Sequence, residues 1–344
     1  MNVHSTVTPI ARAFDLFRDQ ELSVDEMVEK AGLNWKVEKR PIAFRKTSGS
    51  TKTIPSKFAL VRDTDESFLS LAGAAYKPAQ NDRTFAFMKR FVEAGHMKMT
   101  GAGDLCGGQY VWGMAEVGDS FTLPGKDKVG GYLLIVSPHI AGRAWTVVHT
   151  AIRFFCMNQM PQILRTAEGI YRMPHTQELT DEVFEAAEQA LRLSKTYLQE
   201  YRAAAERLVE TPCDAARADD YFQRVLKVGP YKPSAVLEGV IAATETGAAF
   251  DAVLSATADQ NADVVGPKER TSPVLVKMRE ALLGAPGQDA KSAVGTLWGA
   301  FNAVTYVLEH QVCSNADRRL RDNWLGGRAV QKQEALDIAL KLAA

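Results

Sequence analysis

The residues best suited to chemistry lie in one stretch near the middle of the chain, residues 131–160. This stretch reads GYLLIVSPHIAGRAWTVVHTAIRFFCMNQM and contains His139, His149 and Cys156. A cysteine thiolate activated by a neighbouring histidine is a nucleophile, so the set could support covalent catalysis. Cys156, however, follows two phenylalanines, and free cysteines most often behave as small apolar side chains. We therefore favour a buried structural thiol here.

Other catalytic and binding patterns are weaker still. His139 and His149 have no third ligand at a spacing typical of zinc sites. The glycines of GAGDLCGGQYVWG, residues 101–113, lack the lysine and serine of a phosphate loop, so tight turns explain them equally well. No triad or nucleophile elbow is present. We expect a protein without catalytic activity, metal or cofactor.

The charge pattern is more informative than the net charge. The chain has 41 basic and 41 acidic residues, so no global field attracts it to nucleic acid. Residues 33–57, however, contain seven basic side chains and only one acid, Glu38. Cations beside aromatic surfaces are typical of proteins that bind single strands without sequence preference. A solvated surface without a partner is the alternative.

We therefore predict a groove for single-stranded DNA in which cations contact the phosphates, and in which Phe44, Tyr76 and Trp145 offer surfaces for bases. The candidate phosphate contacts are Lys39, Arg40, Arg45, Lys46, Lys89, Arg90, Arg143 and Arg153.

Hydrophobic periodicity and turn residues predict the helices and strands that position these side chains. We predict an N-terminal lead-in over residues 1–32, with Ser23 capping a short helix, and an α+β core over residues 33–175. In this core, three β-runs separated by Gly-containing turns predict an antiparallel meander that leads into a helix. The remainder, residues 176–344, is predicted to be mainly helical with loop-rich insertions. It includes one amphipathic helix of about eight turns over residues 183–208.

The sequence also predicts the cellular compartment of the protein and its relation to membranes. Cys106, Cys156, Cys213 and Cys313 are widely spaced without a CxxC pair, which indicates a reducing compartment. The N-terminus shows no secretion signal, and no stretch approaches the length of a membrane span. We therefore expect a cytoplasmic protein that does not contact membranes.

Several blocks of the sequence together resemble a known family. They include AGLNWKVEKRPIAF, VRDTDESFLSLAGAAYKPAQN, TGAGDLCGGQYVWGMAEVGDSF, YLLIVSPHIAG, GTLWGAFNAVTYVLEH and RRLRDNWLGG. Their order and spacing resemble the phage/plasmid-like proteins grouped as domain of unknown function 932, over nearly the whole chain. One departure is in the hairpin turn, where the family pattern has His-Asp-Gly and this chain has His139 followed by Ile140, Ala141 and Gly142.

The resemblance implies an origin in a phage or plasmid and therefore a bacterial host cell. The predicted order of elements is similar to the core of the single-strand annealing superfamily, whose members assemble into rings or filaments on DNA. The resemblance thus implies a homo-oligomeric protein that binds single-stranded DNA and promotes annealing in recombination or replication. The alternative is a non-enzymatic interaction protein, an anti-defence or host-modulating factor.

Overall fold

The structure is a computed structural model that describes residues 22–154, 158–159, 170–192, 197–227 and 272–344. Its strands are β1 Val37–Arg45, β2 Thr51–Arg62, β3 Phe68–Gly73, β4 Lys98–Leu105, β5 Tyr110–Leu123, β6 Asp127–Pro138, β7 Ala144–Arg153, β8 Asn158–Gln159 and β9 Ile170–Pro174. Its α-helices are α1 Val24–Lys30, α2 Asn81–Glu93, α3 Asp181–Arg192, α4 Tyr197–Glu210, α5 Ala215–Leu226, α6 Pro273–Gly284, α7 Leu297–Tyr306, α8 Ala316–Leu325 and α9 Gly327–Leu342. The predicted α+β class is confirmed.

The strands form two antiparallel sheets. The small sheet has the order β1-β2-β3, and the large sheet has the order β4-β5-β6-β7-β8, with β9 also paired to β7. The predicted meander is confirmed as β5, β6 and β7, which are consecutive neighbours. The glycines of the β4–β5 turn have the predicted role, because Gly107 and Gly108 adopt φ values of 68° and 89°.

Helices cover both faces of the large sheet. Trp112 and Gly113 are consecutive on β5 and therefore point to opposite faces. An added Cβ at Gly113 would lie 2.8 Å from the Phe85 ring of α2, so only glycine allows this close approach. On the other face, the Trp112 ring lies 5.5 Å from the Trp324 ring of α8. This double coverage explains why residues 110–115 of β5 and residues 132–136 of β6 are continuous apolar runs.

The N-terminal lead-in joins the same core. Ser23 caps α1 as predicted, in a capping box with Glu26. Met27 of α1 is fully buried in the cluster that contains the small sheet, α2 and most of the large sheet. The helix thus packs on the core.

Two sequence-based expectations concern helices. The amphipathic periodicity predicted one helix over residues 183–208, and the described residues of this range are helical, in α3 and in α4. Residues 193–196, between α3 and α4, lie outside the described part. The chain after β7 was expected to enter a helix, but Asn158 and Gln159 extend the sheet by pairing with Arg153 and Ile152.

A second hydrophobic core forms where the far end of the large sheet meets helices α4, α5, α6, α7 and α9. Phe121, Val129 and Ala151 from the strands pack there with Trp298 and Phe301 of α7. Residues on both sides of the predicted boundary at 175 therefore share a core.

A buried ion pair lies at this junction. Asp127 begins β6 and Arg153 ends β7, and both side chains are 0% exposed. Arg153 Nε donates to Asp127 Oδ1 at 2.8 Å, and its Nη2 donates to Oδ2 at 2.8 Å. The carboxylate also accepts from Ser292 Oγ at 2.7 Å and from Trp298 Nε1 at 3.0 Å. Arg153 completes the network by donating to the Gly287 carbonyl at 2.8 Å.

We predict that removing either partner of this pair strongly destabilises the protein. Asp127→Ala or Arg153→Ala leaves one buried charge uncompensated, which costs about 3–5 kcal/mol. The double variant should cost less than the sum, because the two side chains act together. Urea unfolding followed by circular dichroism measures these differences. As a control, Arg202→Ala removes an exposed pair with Glu206 and should change stability by less than about 0.5 kcal/mol.

Candidate nucleic-acid interface

The strongest concentration of positive charge lies on the hairpin of β1 and β2. We call residues 39–57 the basic arm. It contains six lysines and arginines and no acidic residue. Beyond Pro41 its strands leave the regular register, since Pro41 pairs with Phe58 but Ala43 pairs with Thr53. The extra residues of β2 include Ser56, whose φ is 59°. A bulge of this kind bends the hairpin away from the sheet plane.

Four cations of this arm are exposed to solvent without an ion pair in the described structure. They are Arg45, Lys46, Lys52 and Lys57. Within the part of the chain that the structure describes, none of the four forms an ion pair, and Arg45 donates only to the Gly49 carbonyl at 3.3 Å. Because no carboxylate neutralises them, their positive charge faces solvent. Two of them, Arg45 and Lys46, belong to the predicted set.

Two further predicted cations lie at the base of the arm and already have partners. Lys39 Nζ donates to the carbonyls of Ala74 and Tyr76 at 2.7 and 2.9 Å. Arg40 is exposed, but its guanidinium lies 2.6 Å from Glu38 and 3.7 Å from Glu66. Both therefore offer less to a phosphate than the four cations beyond them.

The predicted cations of α2 are bound to neighbouring helices. Lys89 pairs with Asp25 of α1 at 2.5 Å, which raises the pKa of the lysine. Arg90 pairs with Asp181 of α3 at 2.7 Å and lies 4.9 Å over the Phe184 ring. These contacts join α1, α2 and α3 to one another.

The last two predicted cations do not extend the basic arm. Arg143 is exposed on the turn between β6 and β7. Arg153 was wrongly predicted to contact phosphates, because it is fully buried and forms the ion pair with Asp127. The eight candidates therefore do not line a single groove, and only Arg45 and Lys46 remain both exposed and unpaired on the basic arm.

Of the three aromatic side chains predicted to contact bases, two are buried and one is exposed. Tyr76 and Trp145 are 8% and 0% exposed and belong to the hydrophobic core, so their prediction as base-contacting surfaces was wrong. Phe44 on the basic arm is 49% exposed, and it pairs across the hairpin with Lys52.

Two exposed apolar residues on β3 were missed by the sequence analysis. Phe68 and Leu71 are 58% and 57% exposed. Simple alternation would place them on opposite faces, but a bulge changes the register, since Val61 pairs with Phe68 and Leu60 with Ser70. The additional residue, Leu69, is fully buried. An alternating pattern in FLSLAG therefore gave no signal for this surface.

The histidines that could have served catalysis are buried. His139 is 0% exposed, its Nε2 lies 3.1 Å from Asn81 Oδ1, and burial lowers its pKa to about 3. Its backbone N–H donates to Gln109 at 2.7 Å, and its carbonyl accepts from Ser70 at 2.9 Å. At the start of the turn between β6 and β7, the histidine therefore connects three segments of the core.

His149 is largely buried and His175 is buried. Burial lowers the pKa of His149 to about 4 and also lowers that of His175, whose ring stacks on Tyr76 at 4.8 Å. In the described residues, no group of three or more His, Cys, Asp or Glu side chains could hold a metal ion.

The described cysteines do not include Cys156, the nucleophile candidate of the sequence analysis. Cys213 is buried, and burial raises the pKa of its thiol to about 11. Burial also raises the pKa of Cys106, and Cys313 is partly exposed. Cys156, the predicted structural thiol, lies outside the described residues.

Comparison with known proteins gives one match. A family model described as Domain of unknown function (DUF932) matches residues 68–336, so the chain belongs to this family. The match is narrower than the resemblance expected from the sequence blocks, because β1, β2 and the basic arm precede it. No curated protein and no solved structure matches the chain. None of the helices in the described ranges has the length and apolar character needed to cross a membrane.

The buried histidines predict an acid-sensitive fold. His139 stays neutral in the folded state down to about pH 3, whereas in the unfolded chain it binds a proton below about pH 6.5. The unfolded state therefore binds more protons in this window, and the free energy of unfolding falls as the pH falls from about 6.5.

The variant His139→Asn should reduce this slope by up to about 1.4 kcal/mol per pH unit between pH 6 and about 4, since one proton fewer is taken up on unfolding. Urea unfolding at a series of pH values measures it. His96 is exposed, so His96→Asn serves as the control and should leave the slope unchanged. Equal slopes for the wild type and His139→Asn would contradict the prediction.

Proposed function

We propose that this DUF932 protein binds single-stranded DNA through the basic arm and promotes the annealing of complementary strands, as a protein of a phage or plasmid acting in the cytoplasm of a bacterial host. The observation that carries the proposal is the exposed set Arg45, Lys46, Lys52 and Lys57, none of which is neutralised by a described acid. Lysines and arginines on an exposed hairpin can follow a phosphate backbone without reading sequence.

The arm supplies a local field that the molecule as a whole lacks. The net charge is zero, so long-range attraction to DNA is weak. The six cations of residues 39–57 lie within one hairpin, and a contact there releases counterions from the strand. Binding of this kind is strongly salt dependent, which separates it from binding by apolar contact.

Annealing adds a requirement for assembly. A protein that brings two strands together needs more than one arm, and a ring or filament of copies would supply them. The proposal therefore includes a homo-oligomer, and it assigns no catalytic step to the described histidines and cysteines. Light scattering of the protein with and without an oligonucleotide tests the assembly.

A second candidate function is interaction with a host protein, as an anti-defence or host-modulating factor. The observation that favours it lies on α6, where Val276 and Leu283 are 39% and 49% exposed. They are seven residues apart and therefore share one side of the helix. This function predicts no affinity for DNA and one dominant partner in a pull-down from host lysate. It also predicts loss of that partner in Val276→Ser/Leu283→Ser.

The DNA-binding proposal predicts a defined salt dependence. The slope of log affinity against log salt is about −0.7 for each phosphate contacted in a single strand. The double variant Arg45→Gln/Lys46→Gln should therefore reduce the magnitude of the slope by up to about 1.4. Fluorescence anisotropy with a labelled oligothymidylate, at a series of NaCl concentrations, measures it.

The matched control for this experiment is Arg202→Gln/Arg224→Gln. It removes the same charge from exposed residues of α4 and α5 that pair with acids on their own helices. It should leave the slope unchanged. Absent or salt-insensitive binding by the wild type would end the proposal, and so would equal effects of the two double variants.

A further inference from the structure

One face of the small sheet carries large apolar side chains that nothing in the described structure covers. We call it the outer face and define it by Arg40, Phe44, Ala59, Phe68 and Leu71. Cross-strand partners lie on the same face of an antiparallel sheet, and Arg40 pairs with Ala59, which pairs with Leu71. The bulge at Leu69 adds Phe68 to this face, opposite Val61.

Phe44 continues the same face onto the basic arm. Residues an even number of positions apart on a strand point to the same side. Arg40 and Phe44 are four apart on β1 and therefore share the outer face. The opposite face of the sheet is the buried one, since Val37, Leu60 and Ala72 are at most 4% exposed and belong to the core. Neighbouring exposed apolar side chains are typical of interaction sites.

We propose that the outer face holds the bases of an unpaired nucleic-acid strand whose phosphates contact the basic arm. This inference depends on the proposed function and specifies how the same site selects its ligand. Bases have flat π-faces that stack on exposed aromatic side chains without regard to sequence. In a duplex those faces are hidden by their neighbours, so this surface would select single strands over double strands.

The charges around the outer face favour this ligand over a second copy of the chain. Phe44 lies directly across from Lys52, so the upper part of the face is next to the exposed cations. The lower end, beside Phe68, carries acids that cations partly neutralise: Glu38 and Glu66 lie 2.6 and 3.7 Å from Arg40, and Asp65 lies 3.8 Å from Arg62. Two copies meeting face to face would bring two basic arms together, which like-charge repulsion disfavours.

The spacing of the apolar residues also suits a chain of bases. Phe68 and Leu71 lie opposite Val61 and Ala59, which are two residues apart on β2, so the two side chains are separated by about 7 Å along the strand. Phe44 lies further along the arm, two strands away. Successive unstacked bases could therefore meet successive side chains across the sheet.

The experiment compares three labelled probes of equal length: an oligothymidylate, an oligonucleotide with all bases removed, and a duplex. The first two carry the same phosphates, so a difference between them reports contact with bases. We expect the wild-type protein to bind the oligothymidylate at least about fivefold more tightly than the abasic probe, as one stacked base provides. We expect the duplex to bind more weakly than the oligothymidylate.

The variant Phe68→Ser should weaken binding of the oligothymidylate at least about fivefold and leave the abasic probe unchanged. Phe44→Ser should do the same, and Leu71→Ser should act in the same direction. Phe68→Tyr keeps the ring and should retain affinity. The control is Val294→Ser, because Val294 is 62% exposed but follows α6 in the helical region.

Three outcomes would overturn the inference. The first is equal binding of the oligothymidylate and the abasic probe by the wild type; if the salt slope persists, the proposed function survives. The second is a variant effect that is equal on both probes. The third is a lower oligomeric mass of Phe68→Ser in sedimentation without DNA, which would assign the face to a second copy. Failure of the proposed function is distinct, because neither probe would then bind.

Discussion

The buried pair of Asp127 and Arg153 is the constraint on which the architecture depends. A carboxylate and a guanidinium without solvent exposure are tolerated only when both are fully hydrogen-bonded, and here Ser292, Trp298 and the Gly287 carbonyl complete the set. The two charges end neighbouring strands, whereas their additional partners belong to the C-terminal helical region. The sheet and the helices must therefore meet in one arrangement, because any other would leave buried hydrogen-bonding atoms of this pair unsatisfied.

This arrangement also separates two uses of positive charge. Arg153, Lys89 and Arg90 join elements of the fold by pairing with carboxylates, and they contribute little to an external field. The basic arm extends beyond this framework. Four of its six cations face solvent without an acidic partner among the described residues, so a neutral protein presents a local positive surface. The outer face lies beside that surface. Charge can thus supply affinity for a polyanion, while exposed rings discriminate between unpaired and paired bases.

The sequence was most informative where a local signal has a single structural meaning. Ser23 and Glu26 form a capping box, and the glycines after Leu105 make the tight turn that their composition predicts. Prediction from the sequence failed where the position of a side chain depends on residues that are distant along the chain. Arg153 was assigned to a phosphate because nothing in its neighbours indicated that Asp127, 26 positions earlier, is its partner. Tyr76 and Trp145 were assigned to a binding surface because aromatic side chains serve cores and surfaces equally.

The chain by itself determined the α+β class, the antiparallel meander and the concentration of positive charge between Lys39 and Lys57, because periodicity, turn residues and charge are local properties. Only the tertiary structure decided which cations are neutralised, since ion pairs such as Lys89 with Asp25 join residues distant in sequence. It also decided which apolar residues face solvent. Phe68 and Leu71 share the outer face because a bulge at Leu69 shifts the register of β3 against β2, and strand register is a property of the pair.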